Sequence, residues 1–177
     1  MSQKFSLLNS FSHITNDVSH PVHALVSVQY PALSGLQSLS DSINGIFKRK
    51  RAVYLALSDN KLFHVHTVGD SVSSKEEIHL DHLDDIRFNA TRMPDHKDFH
   101  VPTVTLTIKK QKKKKVEEFQ QEFILFPSLF LPNLTYSEKQ QHVFEALEMR
   151  TKLIDQLSVW KQKIEDRKVL EALNKSI

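Results

Sequence analysis

The segment that most restricts the fold is residues 51–68, RAVYLALSDNKLFHVHTV. Val53, Leu55 and Leu57 occupy alternate positions of its first half, and a second run rich in β-branched and aromatic residues follows the polar SDN. This pattern is typical of two strands joined by a tight turn. Asp59 and Asn60 suit the turn, because short polar side chains bond to their own backbone and tolerate left-handed geometry. The segment therefore predicts a β-hairpin.

Further strands are predicted on both sides of this hairpin. Alternating or β-branched runs indicate strands at 23–30, 76–80, 86–91, 103–110 and 118–127. The cleanest is TVTLTIKK, in which valine, leucine and isoleucine face one way and threonines the other. Its partner is the segment that contains EFILFP, with a lysine run as the loop between them. These two strands predict a second hairpin.

Helical patterns lie at the two ends of the chain and in residues 32–50, where the apolar spacing predicts a short helix or a structured loop. From Ser137 to about Lys175 there is no proline or glycine, and Thr135 or Ser137 can begin a capping box. Spacings of three or four residues place six apolar residues on one stripe: Ala146, Met149, Leu153, Leu157, Trp160 and Ile164. Residues 1–20 fit equally a short amphipathic helix or a loosely packed arm. About seven strands followed by one long helix predict an α+β, mainly β fold with an antiparallel sheet, since helices alternating with parallel strands are missing.

Three segments carry a resemblance to a known family. AVYLALSDNKLFHVH resembles the strand-turn-strand signature of bacterial pleckstrin-homology-like and GRAM-like domains, and EEIHLDHLDDIRF is similar to their strand-corner-strand element. TVTLTIKK and EFILFP stand where the family has its last two strands. The resemblance implies a seven-stranded bent antiparallel barrel capped by a long C-terminal α-helix, with residues 21–150 as the PH-like domain, 1–20 as an N-terminal arm or short helix, and 151–177 as an extension of the C-terminal helix.

Ten of the 24 basic residues lie in two short runs. In a PH-like sheet the loops that join strands one and two, three and four, and six and seven emerge at the same end. The resemblance therefore implies a basic rim formed by Lys48, Arg49, Lys50, Arg51, Lys75, Lys109, Lys110, Lys112, Lys113, Lys114 and Lys115. Such a rim would concentrate positive potential. The alternative is that these lysines are solvated hairpin tips that keep strand edges from aggregating.

A multiply charged anion is the physical match for a basic rim. Clustered lysines near an anionic membrane contribute about 1 kcal/mol each, which favours reversible docking to acidic lipid, and an acidic protein segment would satisfy the same charges. Nucleic acid is less favoured, because apart from Phe47 the runs contain no interleaved aromatic residues for stacking on bases. The leading hypothesis is a non-enzymatic adaptor of the PH-like class.

The second half of the predicted helix is a candidate protein-interaction surface. Leu153, Leu157, Trp160 and Ile164 extend past the part of the helix that the barrel needs. Such a stripe packs either against the N-terminal segment of the same chain or against a second copy. The second option predicts a homodimer through the C-terminal helix.

Metal, cofactor and catalytic sites are not predicted. The chain has no cysteine, and neither the pair His64 and His66 nor the pair His96 and His100 has the further ligands of a zinc signature. No glycine-rich phosphate loop occurs. The corner that contains His79, Asp81, His82, Asp84 and Asp85 is interpreted as a polar turn. With no apolar run near 20 residues and no secretion signal, the sequence predicts a cytoplasmic protein, peripheral at a membrane if its rim binds lipid.

Overall fold

The computed structural model describes residues 6–18, 20–31, 51–93, 96–126 and 134–176. A 3₁₀ turn at Asn9–Phe11 leads into the short helix α1, and a second 3₁₀ turn at Leu80–His82 joins the fourth and fifth strands. The other elements are, in chain order, α1 at Ser12–Thr15, β1 at Ala24–Gln29, β2 at Arg51–Leu57, β3 at Lys61–Val68, β4 at Ser71–His79, β5 at Leu83–Met93, β6 at His96–Lys112, β7 at Lys115–Leu125 and α2 at Tyr136–Lys175.

All seven strands belong to one antiparallel sheet with the order β4-β3-β2-β1-β7-β6-β5. The mainly β class, the seven strands and the long C-terminal helix are confirmed. The closed barrel is not: β4 and β5 are the two edges, and the described strands contain no ladder between them. The physical reason lies in the connection, since the three residues of the 3₁₀ turn carry the chain around a corner instead of back along β4.

The sheet is open but strongly curled toward one face. His64 of β3 and Phe123 of β7 are separated by β2 and β1, yet their ring centroids are 5.0 Å apart. Glu76 of β4 and Lys110 of β6, which have four strands between them in the sheet, form an ion pair. Pairing registers place all four side chains on the same face, which is therefore concave. We call it the inner face.

The predicted hairpin at 51–68 is confirmed. β2 and β3 pair from Arg51 opposite Val68 to Leu57 opposite Leu62, and the amide of Ser58 donates to the carbonyl of Lys61 at 2.9 Å. The second predicted hairpin is also present, but most of its lysine run belongs to strands. Lys112 pairs with Lys115, which leaves Lys113 and Lys114 as the two turn residues.

The helix α2 is one uninterrupted element of 40 residues, about 60 Å long. Its start is the predicted capping box, since the hydroxyl of Thr135 accepts from the amide of Glu138 and the Glu138 carboxylate accepts from the amide of Thr135. The helix packs against β1 and β5. None of the described helices is apolar over a stretch long enough to cross a bilayer.

The apolar stripe of α2 lies in the core, so its predicted availability to a partner is wrong. Leu153, Leu157 and Trp160 have no exposed surface and Ile164 is 2% exposed. A helix that only caps one end of a barrel would leave its second half uncovered, and this is why the sequence predicts an exposed stripe. Instead α2 continues along the edge strand, where Lys161 donates to the carbonyl of Ile86 at 2.7 Å.

The N-terminal segment is a docked arm. Leu7, Phe11, Ile14 and Val18 are at most 3% exposed. The ring of Phe11 lies 5.7 Å from that of Tyr54 on the outer face of the sheet. The amide of Leu7 donates to Glu145 of α2 at 2.7 Å. Because these side chains belong to the same buried cluster as the sheet and α2, residues 6–18 are part of one core.

Candidate anion-binding hairpin

The structure does not bring all residues of the predicted basic rim together. Lys48, Arg49 and Lys50 lie outside the described residues. Arg51 is exposed at the first position of β2. The registers direct the β1–β2 connection, the β3–β4 turn and the β6–β7 turn toward the same end of the strands. Lys75, however, lies on the outer face, where it contacts the carbonyl of Asp17 at 2.7 Å and its carboxylate at 3.3 Å.

The β6–β7 hairpin extends well past the end of β1. Gln29 pairs with Ile124, whereas β7 begins nine residues earlier at Lys115, a distance of about 30 Å along an extended strand. The curl of the sheet brings the end of this extension to β4 through the Lys110–Glu76 ion pair, two residues before the last pair of the hairpin. The turn lies beyond this contact and is exposed.

Three lysines of the hairpin are neutralised by nearby carboxylates. Lys109 Nζ is 3.0 Å from Asp84, Lys112 Nζ is 2.8 Å from Glu117, and Lys110 contacts Glu76. Hydrogen bonding to Asp84 raises the pKa of Lys109, and hydrogen bonding to Glu117 raises that of Lys112. These lysines contribute little net field at the hairpin surface, because each positive charge is offset within one contact.

Lys113, Lys114 and Lys115 differ from their neighbours in the run. All three are exposed, and none has a carboxylate partner among the residues that the structure describes. Lys113 has φ = +51°, a left-handed conformation that costs a residue with a Cβ about 1 kcal/mol. Val116 follows directly and is 64% exposed. We call residues 113–116 the tip; it presents three uncompensated positive charges beside an exposed aliphatic side chain.

A second polar cluster lies on the inner face. The phenol oxygen of Tyr30 is 2.6 Å from His64 Nε2 and 3.1 Å from His66 Nε2. Glu76 Oε2 is 3.9 Å from His64 Nδ1, and the ring of His64 stands edge-on to Phe123. The strand period of two puts both histidines on one face, but no local signal in the sequence points to Tyr30, because this tyrosine follows the last residue of β1 and only the curl of the sheet brings it to β3.

Burial sets the protonation states in this cluster. Desolvation, then the neighbouring His66, lowers the pKa of His64 to about 4. The pKa of His66 is also lowered by burial. Desolvation, then Glu76, raises the pKa of Tyr30 to about 12. At neutral pH both imidazoles are therefore neutral and the phenol is protonated.

The acidic corner between β4 and β5 holds structural contacts. Asp84 is shared by Lys109 of β6 and Lys168 of α2, at 3.0 and 3.6 Å, and the hydrogen bond from Lys109 is the largest cause that lowers its pKa. Asp85 accepts from the amide of Ile86 at 2.9 Å, and His79 lies 3.4 Å from Asp81. In the described ranges no three or more histidine, aspartate and glutamate side chains are grouped in a way that could hold a metal ion.

Comparison of the chain with models of protein families, with curated proteins and with solved structures finds no match in any of the three. The resemblance to PH-like and GRAM-like domains therefore stays a prediction from short motifs.

Proposed function

We propose that the chain is a non-enzymatic, PH-like adaptor that docks reversibly to an anionic membrane surface through the tip of its β6–β7 hairpin. The observation that supports this proposal is the contrast within one lysine run. Lys109, Lys110 and Lys112 are paired with carboxylates, whereas Lys113, Lys114 and Lys115 project into solvent without one in the described part of the chain.

The tip has the charge and the shape for a lipid headgroup layer. Three lysines near an anionic surface contribute about 1 kcal/mol each, so together they strengthen binding roughly a hundredfold. Val116 can bury its exposed methyl groups at the interface, while the lysine stems reach along the apolar boundary with their ammonium groups in the headgroups. An aliphatic tip suits lipid better than single-stranded nucleic acid, which gains from aromatic stacking.

The left-handed backbone at Lys113 fits the same proposal. Glycine or asparagine is the usual residue for such a turn position, because a Cβ is disfavoured there. A lysine held in this conformation is unfavourable for the hairpin alone. A charge needed at the tip would account for it.

The test is sedimentation with vesicles of phosphatidylcholine alone or mixed with phosphatidylserine. Wild-type protein should bind only the mixed vesicles, and less as salt is raised. The substitutions Lys113→Gln, Lys114→Gln and Lys115→Gln together should weaken binding about a hundredfold. The matched control removes the same charge from exposed helix lysines, by Lys139→Gln, Lys152→Gln and Lys163→Gln. Equal binding by both triple variants would reject the tip as the docking element, and wild-type binding to duplex DNA without binding to vesicles would reject the membrane.

A second candidate function, self-association through α2, is supported by other residues than the sequence suggested. Val169, Leu170 and Leu173 near the end of the helix are each more than half exposed. A second copy could cover this surface. Sedimentation equilibrium of the wild type should then show a dimer that Leu170→Glu with Leu173→Glu dissociates and Val159→Glu, at another exposed helix position, does not. A wild-type monomer at all accessible concentrations would remove this candidate.

A further inference from the structure

Two histidines and a tyrosine converge on the inner face of the sheet. His64 and His66 are two residues apart on β3, so the strand period of two sends both side chains the same way. Tyr30 reaches them from the end of β1, across β2. We propose that Tyr30, His64 and His66 form a binding site for a divalent transition-metal ion of the Zn²⁺ class. The proposal is independent of the anion-binding tip.

The donor atoms are already close to a coordination geometry. The phenol oxygen lies 2.6 Å from one Nε2 and 3.1 Å from the other. In a tetrahedral site with bonds of 2.0 to 2.1 Å, neighbouring donors are about 3.3 Å apart. To reach that spacing, each nitrogen would have to move less than about 1 Å from the phenol oxygen, which small side-chain rotations can supply. Two nitrogens and one oxygen leave a fourth position for water.

The protons of the three side chains balance between the metal-free and the metal-bound site. Without metal, the network is satisfied if the phenol donates to His64 Nε2 and the Nε2–H of His66 donates to the phenol oxygen. On binding, His66 takes its other tautomer, with the proton on Nδ1, and the phenol proton leaves to solvent. The ion then receives two neutral imidazole nitrogens and a phenolate oxygen.

The surroundings hold the three donors in place. Glu76 stands behind His64 with Oε2 3.9 Å from Nδ1, so an approach of about 1 Å would give the hydrogen bond by which a carboxylate orients an imidazole ligand. Its other oxygen is held by Lys110. Phe123 packs against the rings of both Tyr30 and His64, at centroid distances of 6.0 and 5.0 Å. Tyr30 and His66 are only partly buried, so an ion can reach the site from solvent.

The donor set explains why the spacing of histidine, aspartate and glutamate does not reveal this site. Its third donor is a phenol, and the carboxylate lies behind an imidazole rather than at the ion. Imidazole with an oxygen donor suits zinc and copper rather than magnesium or calcium, which prefer oxygen alone. The chemistry of the donors therefore selects a transition metal.

The test uses full-length protein stripped with chelator and titrated with Zn²⁺ by calorimetry. One ion per chain is expected, with release of about one proton at the site and an ultraviolet difference spectrum of tyrosine ionisation. Co²⁺ in place of Zn²⁺ should give the visible absorption of a four-coordinate ion. Folded wild-type protein that binds neither ion would overturn the proposal.

Substitutions assign the site to these residues. His66→Gln should weaken Zn²⁺ binding by more than roughly tenfold. Tyr30→Phe should abolish the tyrosine ionisation signal, which Tyr136→Phe should leave intact. The matched control, His79→Gln with His82→Gln, removes a neighbouring pair of histidines at the corner of the sheet and should bind as the wild type does. If that control loses the ion while His66→Gln keeps it, the ion binds at the corner and the proposal fails.

His64 is 8% exposed, so His64→Gln could unfold the chain. Glu76→Gln avoids this because Glu76 is partly exposed, and it should lower Zn²⁺ affinity roughly tenfold or more. Because it also removes the ion pair with Lys110, its control is Lys110→Gln, which breaks the same ion pair, keeps the carboxylate and should lower the affinity less. Unchanged affinity in both Glu76→Gln and His66→Gln would overturn the assignment.

Discussion

The stripe of α2 and the tip of the β6–β7 hairpin are the two surfaces that the sequence singles out for partners, and the structure separates them. The stripe, from Leu153 to Ile164, is buried against the chain's own sheet. The tip has neither a covering element nor a carboxylate partner in the described structure. An apolar stripe indicates only that some surface covers it. A run of charged residues, by contrast, can remain solvated at the surface with little cost in free energy. Periodicity alone therefore cannot distinguish a core from an interface.

Because it is buried, the stripe of α2 should contribute strongly to the stability of the fold. Trp160 has no exposed surface, so Trp160→Ala should lower the free energy of unfolding by about 3 to 5 kcal/mol, through lost burial and an unfilled cavity. Val159→Ala, at the half-exposed neighbouring position, should cost much less. Urea denaturation of both variants measures the difference. A Trp160→Ala protein as stable as the wild type would mean that α2 does not pack on the sheet in solution.

The second prediction concerns Asp84, where the hairpin and the helix meet. Because Lys109 and Lys168 hold its pKa below the ordinary 3.8, the unfolded chain binds more protons at this group than the folded one. Its contribution is therefore fully present above about pH 3.8 and is lost as the pH falls through the lower folded value. Asp84→Asn should cost about 1 kcal/mol at pH 7. That difference from the wild type, measured by urea denaturation, should shrink as the pH falls below 3.8; a difference that stays constant down to pH 2 would contradict the pairing.

The third prediction tests the backbone of the tip. Lys113 has a positive φ, so Lys113→Gly should relieve the left-handed strain and raise the free energy of unfolding by about 0.5 kcal/mol, after the entropy that glycine adds to the unfolded chain. Lys114 is not at a positive φ, so Lys114→Gly should destabilise instead. Thermal unfolding of the two variants gives opposite signs if the turn is as described. The same sign in both would place the left-handed residue elsewhere.

Much of the fold could be predicted from the sequence because its signals are local. Alternation in the segment 51–68 determines a hairpin, and Thr135 with Glu138 determines where α2 begins. The curl of the sheet could not be predicted, because it depends on contacts such as Glu76 with Lys110 between distant strands. Two features that depend on the curl could not be predicted either. Tyr30 meets the two histidines only in the curled sheet. The helix α2 packs along β5 only because the sheet stays open.

Removing the three tip lysines should change the stability of the fold very little. If Lys113, Lys114 and Lys115 serve a partner rather than the fold, changing all three to glutamine should leave the free energy of unfolding within about 0.5 kcal/mol of the wild type. Lys109→Gln, in the same run, should destabilise measurably, because among the described residues it leaves Asp84 with only the more distant Lys168. Urea denaturation at low and high salt distinguishes the two variants. Screening should reduce the loss of stability in Lys109→Gln and should leave the free energy of unfolding of the triple variant close to that of the wild type. A triple variant that is clearly less stable would mean that the tip lysines help to hold the hairpin, which would remove the contrast within the run that supports the docking proposal.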